Sequence, residues 1–141
     1  MGRLRSLLGA ILVLAGTLAP SPPPALVLIV NPSRGDQLTI VDASAIYLKK
    51  RRFWPDGQAI VPLNLPAETA AREEFSQRVL GRGSDRLSAY WDQQYFQGVF
   101  PPVTLSSSAA VKRYVASDRN AVGYIGAREV DGSVRVVLRL D

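Results

Sequence analysis

The segment Ile46–Leu63 constrains the fold of this chain more than any other, because it joins a helix to a strand across one sharp corner. The pair Asp56-Gly57 supplies the turn chemistry, since glycine adopts a positive φ at no steric cost. Pro55 fixes the backbone just before that turn and discourages the helix from continuing. Trp54 lies where helix and strand meet, so we expect its ring to fill the corner between them.

Apolar runs on either side of this corner predict the strands of an α/β sheet. Leu26–Val30 is apolar at every position, which is typical of a strand buried on both faces in the middle of a parallel sheet. Ala59–Leu63 predicts a second strand, and Pro62 places it at a sheet edge or ends it, because proline lacks the backbone donor. Ala121–Ile125 predicts a third strand, which Gly126 closes.

The last strand and the helices follow from different periodicities. Ser133–Leu140 alternates apolar and polar residues, which predicts a half-exposed edge strand, and Asp131-Gly132 predicts a hairpin turn before it. Spacings of three and four predict four helices, whose starts are expected near Asp42, Glu68, Ser84 and Ser106. In the third helix the spacing favours a core stripe over a ligand platform for Leu87, Tyr90, Trp91 and Tyr95.

The N-terminal segment has the layout of a secretory signal peptide. Arg3 and Arg5 precede an apolar run, Leu7–Leu18, that is too short for a comfortable membrane span. We therefore expect residues 1–25 to be a signal peptide with a proline-rich leader, residues 26–141 to form one domain, and the mature protein to be periplasmic. The alternative is an uncleaved anchor, in which the prolines of the leader form an extended tether.

The composition excludes several classes of chemistry, since the chain contains neither cysteine nor histidine. Thiolate metal sites, disulfides and Ser-His-Asp catalysis are ruled out, and we expect neither an enzyme nor a bound metal or cofactor. The formal net charge of +5 favours anionic partners mildly. The basic run Lys49–Arg52 is typical of a solvated helix end facing the helix dipole, with an anion contact as the alternative. No nucleic-acid-binding motif accompanies it, so no nucleic-acid partner is expected.

The residues that follow the first predicted strand are candidates for ligand contacts because of where they lie. Loops at the carboxyl ends of buried strands are where α/β folds bind ligands. Asn31, Ser33 and Arg34 stand in such a loop, although a plain turn would also explain each of these residues.

Short segments spread along the chain carry a family resemblance through their order and spacing. These segments are Ile29–Pro32, Ala45–Leu48, Trp54–Gly57, Ile60–Pro62, Phe75 with Val79–Gly81, and Ala121–Ile125. Over roughly Leu26–Gly126 the sequence resembles the phosphate-type periplasmic substrate-binding proteins of ABC transporters. The resemblance implies an α/β fold: the three-layer single lobe of a type 2 periplasmic binding protein, with a mixed sheet flanked by about four helices.

The resemblance also implies where a ligand would bind. In that family an anion is held between two lobes, and the present sequence resembles one of them, with little on either side. The family has a Gly-Ser-Gly-Thr-like segment at a helix start, where this chain has Pro66–Ala70. Together with the loop after the first strand, this implies donors for phosphate or a similar small anion at Asn31, Ser33, Thr69, Arg72 and Ser106.

Two functions are compatible with these observations. The first is an exported solute-binding domain that binds phosphate or a similar small anion for ABC-type uptake, with an ABC transporter as its partner. The alternative is a non-catalytic accessory module that keeps the fold without the ligand site and contacts another envelope protein. An exposed face of Tyr124 and the loop Phe96–Pro102 could supply those contacts. Contact with a membrane is expected only through an uncleaved signal.

Overall fold

The structure is a computed structural model that describes residue 2, residues 9–19 and residues 25–141. The rest of the predicted signal peptide and leader lies outside the described residues. Residues 9–19 are exposed and form neither helix nor strand. Within the described part of the chain, no helix is both long and apolar enough to span a membrane.

Five strands and four α-helices make up the domain that follows. The strands are β1 (Leu26–Val30), β2 (Val61–Asn64), β3 (Val103–Thr104), β4 (Ala121–Gly126) and β5 (Arg135–Leu140). The helices are α1 (Ile40–Tyr47), α2 (Ala70–Phe75), α3 (Ser84–Tyr95) and α4 (Ser108–Ser117). A π-helical segment (Ser76–Leu80) continues α2, and a 3-10 turn (Ala127–Glu129) follows β4.

The strands form one mixed sheet in the order β3-β2-β4-β1-β5. Strand β2 runs parallel to β3 and β4, whereas β1 runs antiparallel to both of its neighbours, β4 and β5. The prediction of a mixed α/β sheet is confirmed, and β1 is buried along its whole length as expected. Its neighbours are antiparallel, however, so the expectation of a purely parallel setting for β1 was wrong.

Strand β2 lies inside the sheet, and not at the edge that Pro62 predicted. The backbone N–H of Val61 donates to the carbonyl oxygen of Asn120 on the β4 side. Successive residues of a strand bond to opposite neighbours, so the nitrogen of Pro62 faces β3. Because β3 pairs with β2 only from Leu63 onward, the missing N–H of Pro62 breaks no bond of the ladder.

Strands β4 and β5 do not form the predicted hairpin, because β1 lies between them. The turn at Asp131 does form, with the Asp131 carboxylate accepting from the backbone N–H of Ser133 at 2.9 Å. The register of β5 against β1 shifts between Leu28 and Ile29, which marks a bulge. As a result Val137 is buried, although strict alternation placed it on the outer face.

Three of the four helices start near the predicted residues but with different caps. Thr39 caps α1, and Asp42 completes a capping box by accepting from the backbone N–H of Thr39 at 2.8 Å. This hydrogen bond lowers the pKa of Asp42, and Arg51 adds to the effect. Helix α3 is preceded by Gly83, and α4 is capped by Ser107 and not by Ser106. The starts of the helices were therefore predicted more accurately than their caps.

The two faces of β4 fix which helices lie on which side of the sheet. Gly123 faces α4 so closely that an added Cβ would overlap Cγ1 of Val111. The next residue, Tyr124, points to the other face and stacks on Phe75 of α2, with 3.9 Å between the ring centroids. Tyr47 of α1 lies against both of these rings. Three layers result, with α4 on one face of the sheet and α1 and α2 on the other.

The predicted aromatic stripe of α3 belongs to the core only in part. Leu87 is buried, whereas Tyr90 and Trp91 are half-buried and Tyr95 is exposed. The hydroxyl of Tyr90 donates to the carbonyl oxygen of Leu48 at 2.6 Å, which holds α3 beside the end of α1.

We predict that Gly123→Ala lowers the free energy of unfolding by about 1–3 kcal/mol, because the new methyl group would overpack against Val111 of α4. Denaturant unfolding followed by circular dichroism measures the loss. Gly132→Ala is the matched control, since a Cβ there meets nothing within 4 Å. Equal losses in the two variants would contradict the close packing of α4 on β4.

Candidate functional site

The predicted ligand-binding residues fall on two opposite edges of the sheet. Strands β2, β3 and β4 end at one edge, where α2 and α4 begin, and we call this the helix-start edge. Strand β1 runs the other way, since Leu26 pairs with Gly126 and Val30 pairs with Val122. Asn31 and Ser33 therefore lie at the opposite edge, which we call the Arg34 edge. Thr69, Arg72 and Ser106 lie at the helix-start edge.

Thr69 organises the start of α2 through its hydroxyl. The Oγ1 atom donates to the carbonyl oxygen of Pro66 at 2.7 Å and accepts from the backbone N–H of Arg72 at 3.2 Å. Arg72 folds back in turn, and its Nη1 donates to the carbonyl oxygen of Leu65 at 2.8 Å. This bond uses one of the five N–H groups of the guanidinium. A half-buried hydroxyl and a half-buried cation are thus held side by side directly after β2.

The start of α4 reaches the same edge directly after β3. Ser107 caps the helix by accepting from the backbone N–H of Ala110 at 3.1 Å. Ser106 stands exposed in the bend just before it. The backbone N–H of Leu105 donates to the carbonyl oxygen of Asn64 at 2.8 Å, which ties this bend to the end of β2. The two helix starts are therefore fixed relative to one another by the ends of two adjacent strands.

A buried tyrosine network supports this edge from below and was missed in the sequence. The hydroxyl of Tyr124 donates to Oδ1 of Asn64 at 2.8 Å and accepts from the backbone N–H of Leu65 at 3.1 Å. The Tyr47 hydroxyl donates to the carbonyl oxygen of Leu63 at 2.8 Å. Burial raises the pKa of Tyr124 to about 12 and raises that of Tyr47 well above its usual value. Because Tyr124 is fully buried, the expectation that it offers an exposed contact face was wrong.

The helix-start edge has the chemistry of an anion site. Two helix starts direct N–H groups and positive dipole ends toward it, and Arg72 adds a cation. Glu68 is an exposed carboxylate just before the helix and opposes an anion there. Among the described residues, no group of three or more Asp or Glu side chains is arranged to hold a metal ion.

At the Arg34 edge, Asn31 and Ser33 serve the structure of the loop. The Asn31 amide donates from Nδ2 to the carbonyl oxygens of Val115 and Ala116 at 3.1 and 3.0 Å, near the end of α4. Its Oδ1 accepts from the backbone N–H and the hydroxyl of Ser33 at 3.0 and 2.7 Å. These bonds occupy both ends of the Asn31 amide within the protein.

Arg34 is the most heavily engaged polar residue of this edge, and its guanidinium is almost completely buried. It donates to the Arg119 carbonyl oxygen at 2.9 Å, to Asp36 at 2.8 Å and to Oδ1 of Asn120 at 2.9 Å. It also lies 4.2 Å from the ring centre of Trp54 and 3.3 Å from Asp56. Of the two explanations of this residue, a turn and a ligand contact, the structure supports the first.

The corner at Trp54 is formed as predicted. Trp54 is buried, and its Nε1 donates to the carbonyl oxygen of Asn120 at 3.0 Å. Gly57 adopts a φ of 87°, which is the left-handed conformation expected of a glycine in this turn. Asp56 accepts from the backbone N–H of Gln58, which lowers the pKa of Asp56 together with the nearby Arg34.

Comparison with solved structures places the fold among phosphate transport proteins. The chain is similar to an ABC-type phosphate transport receptor from Vibrio cholerae, with 21% identity and a TM-score of 0.65 over 81% of this chain and 45% of that one. It is also similar to a protein from Clostridium perfringens that was solved with bound phosphate and is assigned as a phosphate ABC transporter substrate-binding protein. There the identity is 24% and the TM-score 0.66, over 81% and 44% of the two chains.

A third structure of the same kind is PstS from Borrelia burgdorferi, with 13% identity, a TM-score of 0.63 and 82% and 47% of the chains covered. The chain thus spans less than half the length of each of these proteins. Its fold is that of one lobe of the phosphate-type binding proteins, as the resemblance in sequence implied. No protein-family model matches the chain, and no curated protein matches it either.

We predict that Arg34→Lys lowers the free energy of unfolding by about 1–3 kcal/mol, because a lysine amine cannot reach all the acceptors that the guanidinium bonds. Thermal and denaturant unfolding measure the loss. Arg113→Lys, on an exposed position of α4, is the matched control and should change stability little. A neutral Arg34→Lys would show that the buried guanidinium does not hold the loops together.

The buried tyrosines predict a loss of stability at alkaline pH. Their pKa is near 10 in the unfolded chain, while that of Tyr124 is about 12 in the folded protein. Their contribution is therefore complete below pH 10 and is lost as the pH rises toward 12, at up to about 1.4 kcal/mol per pH unit for each group. Unfolding curves between pH 8 and roughly 11 should show this slope, and Tyr124→Phe should reduce it. A slope as steep in Tyr124→Phe as in Tyr114→Phe would exclude this origin.

Proposed function

We propose that this protein is an exported solute-binding lobe that binds phosphate or a similar small anion at the helix-start edge, in the service of ABC-type uptake. The observation that carries the proposal is the convergence of two helix starts, Thr69, Arg72 and Ser106 at one edge of a phosphate-type binding fold. The apolar run Leu7–Leu18 behind two arginines supports export to the periplasm.

The anion would be held mainly by hydrogen-bond donors. Backbone N–H groups at the start of α4 and the hydroxyls of Thr69 and Ser106 supply neutral donors. The guanidinium of Arg72 adds a charge-assisted bond, which is roughly twice as strong as a neutral one. We assign Asn31 and Ser33 no contact with this anion, because they lie at the Arg34 edge.

A single lobe leaves the outer face of the anion in contact with water, so the proposed affinity is weak. The solved relatives are more than twice as long as the part of them that this chain matches. We infer that tight binding requires a second surface over the helix-start edge, supplied by another polypeptide or by a second copy. The permease of an ABC transporter or another envelope protein is the proposed class of partner.

Glu68 and the lack of glycine near Thr69 set the direction in which this site differs from a strong phosphate site. The exposed carboxylate of Glu68 repels an anion at the start of α2. Pro66 and Ala67 precede it, and neither residue lets a ligand approach the backbone as closely as glycine does. The chain therefore binds its anion through side chains more than the family pattern would suggest.

Isothermal titration calorimetry with inorganic phosphate in low salt tests the proposal. We expect weak, saturable heat, which Arg72→Gln reduces by about five- to tenfold in affinity and which Ser106→Ala reduces less. Glu68→Gln should strengthen binding by about two- to threefold, because it removes the opposing charge.

Lys50→Gln is the matched control, since this exposed lysine lies beyond the end of α1, away from the helix-start edge. It removes one positive charge, as Arg72→Gln does, and should leave the affinity nearly unchanged. Absence of heat with millimolar phosphate and sulfate, in a protein that circular dichroism shows to be folded, would contradict the proposal. That result would favour the non-catalytic accessory module instead.

A further inference from the structure

A groove of about 450 Å³ lies far from the helix-start edge, between the end of α1 and the loop before β3. Its walls come from Lys49–Phe53, from Ala59–Pro62 around the start of β2, and from Gly98–Val103. Strands β2 and β3 begin on this side of the molecule, and the proposed phosphate site lies where they end. The volume falls in the range of pockets that take small organic molecules.

The floor and one wall of the groove are apolar. Ile46 and Ile60 are buried beneath it, and Val99 is half-buried beside them. Phe53 and Phe100 stand on the rim and remain 60% and 59% exposed, which is unusual for large aromatic side chains without a partner. An apolar ligand body would cover surface that these two rings now expose to water.

The opposite rim is cationic. Lys49, Arg51 and Arg52 all line the groove, and its described lining contains no Asp or Glu. Arg51 is paired with Asp42 on α1 at 3.3 Å, so part of its charge is balanced from outside the groove. Arg52 donates from Nε to the carbonyl oxygen of Lys49 at 3.2 Å, which fixes the two cations next to one another. The groove therefore combines an apolar floor with an excess of positive charge.

Lys49 occupies a backbone position that normally belongs to glycine. It follows the last turn of α1 with a φ of 61°, and it is the only described residue other than glycine with a positive φ. Its N–H donates to the Ile46 carbonyl oxygen, and that of Lys50 donates to Ala45, which is the pattern of a glycine-type helix end. Burial and the neighbouring Arg52 lower the pKa of the Lys49 amine. A bound anion would offset both of these effects.

We propose that this groove is a second binding site, for a small organic acid whose apolar body lies against Phe53, Phe100 and the floor while its carboxylate meets Lys49 and Arg52. A medium-chain aliphatic carboxylate fits this description. The two parts of such a ligand match the two parts of the groove, whereas inorganic phosphate matches only the cationic rim. The site is independent of the phosphate site in both position and chemistry.

Nuclear magnetic resonance of the isotope-labelled full-length chain tests the assignment with octanoate as the probe. We expect saturable shifts of the backbone amide signals of Lys49–Phe53 and Gly98–Val103, with a dissociation constant of about 1–10 mM. Acetate carries only the charge and 1-octanol only the apolar chain, so each should bind at least about fivefold more weakly. Inorganic phosphate should shift amides at the helix-start edge instead, which separates this site from the first.

Variants at two adjacent lysines give the sharpest control. Lys49→Asn removes the amine but keeps a residue that tolerates the left-handed conformation, so the fold is retained. It should weaken octanoate binding by about five- to tenfold. Lys50→Gln removes an equal charge one residue away, outside the groove lining, and should change the affinity by about twofold or less.

Three outcomes would overturn the proposal. The first is an absence of shifts at the groove with octanoate in the folded protein. The second is equal binding of octanoate and 1-octanol, which would show that the cations contribute nothing. The third is equal weakening by Lys49→Asn and Lys50→Gln, which would reduce the effect to net charge.

Discussion

The architecture depends on the complete burial of β1, which needs a neighbouring strand on each side and a helical layer on each face. Its five residues are at most 1% exposed. Fully burying one aliphatic side chain contributes about 1.5–3 kcal/mol, so this strand is a large part of what stabilises the domain. That burial is complete only when β4 and β5 flank β1, which explains why β5 crosses over and does not pair with β4.

The same demand shapes β4, which carries a glycine and a tyrosine side by side. Gly123 lets α4 approach the sheet closely, and Tyr124 fills the wider space under α1 and α2. The hydroxyl of Tyr124 then reaches Asn64 and Leu65, at the point where the chain leaves the sheet for α2. Core packing and the geometry of the candidate anion site are therefore linked through one side chain.

The sequence predicted the elements that depend on local patterns. The unbroken apolar run of β1, the corner at Trp54 and the four helices were all recognised from short stretches of the chain. Neighbours in the sheet could not be recognised in this way, because the turn at Asp131 looks the same whether β5 pairs with β4 or crosses to β1. The bulge opposite Leu28 likewise leaves no local signal in the alternation of β5.

The candidate site was predictable to a smaller extent. Thr69, Arg72 and Ser106 follow strands that end at one edge, and the resemblance to a family placed two of them at a helix start. Asn31 also follows a buried strand, but β1 is antiparallel to β4, and strand direction is a property of the whole sheet. The role of Arg34 could not be predicted either, since its acceptors come from loops about 85 residues further along the chain.

The pairing of Leu26 with Leu140 brings the first residue of β1 and the last residue of β5 next to each other. A polypeptide fused before one of them and a polypeptide fused after the other would emerge in parallel from the same spot. A unit built in this way can be inserted into a loop of a host protein, or excised from it, as a self-contained cassette on a two-stranded stalk. Its orientation would also be set by that stalk, with the starts of α2 and α4 turned toward the host.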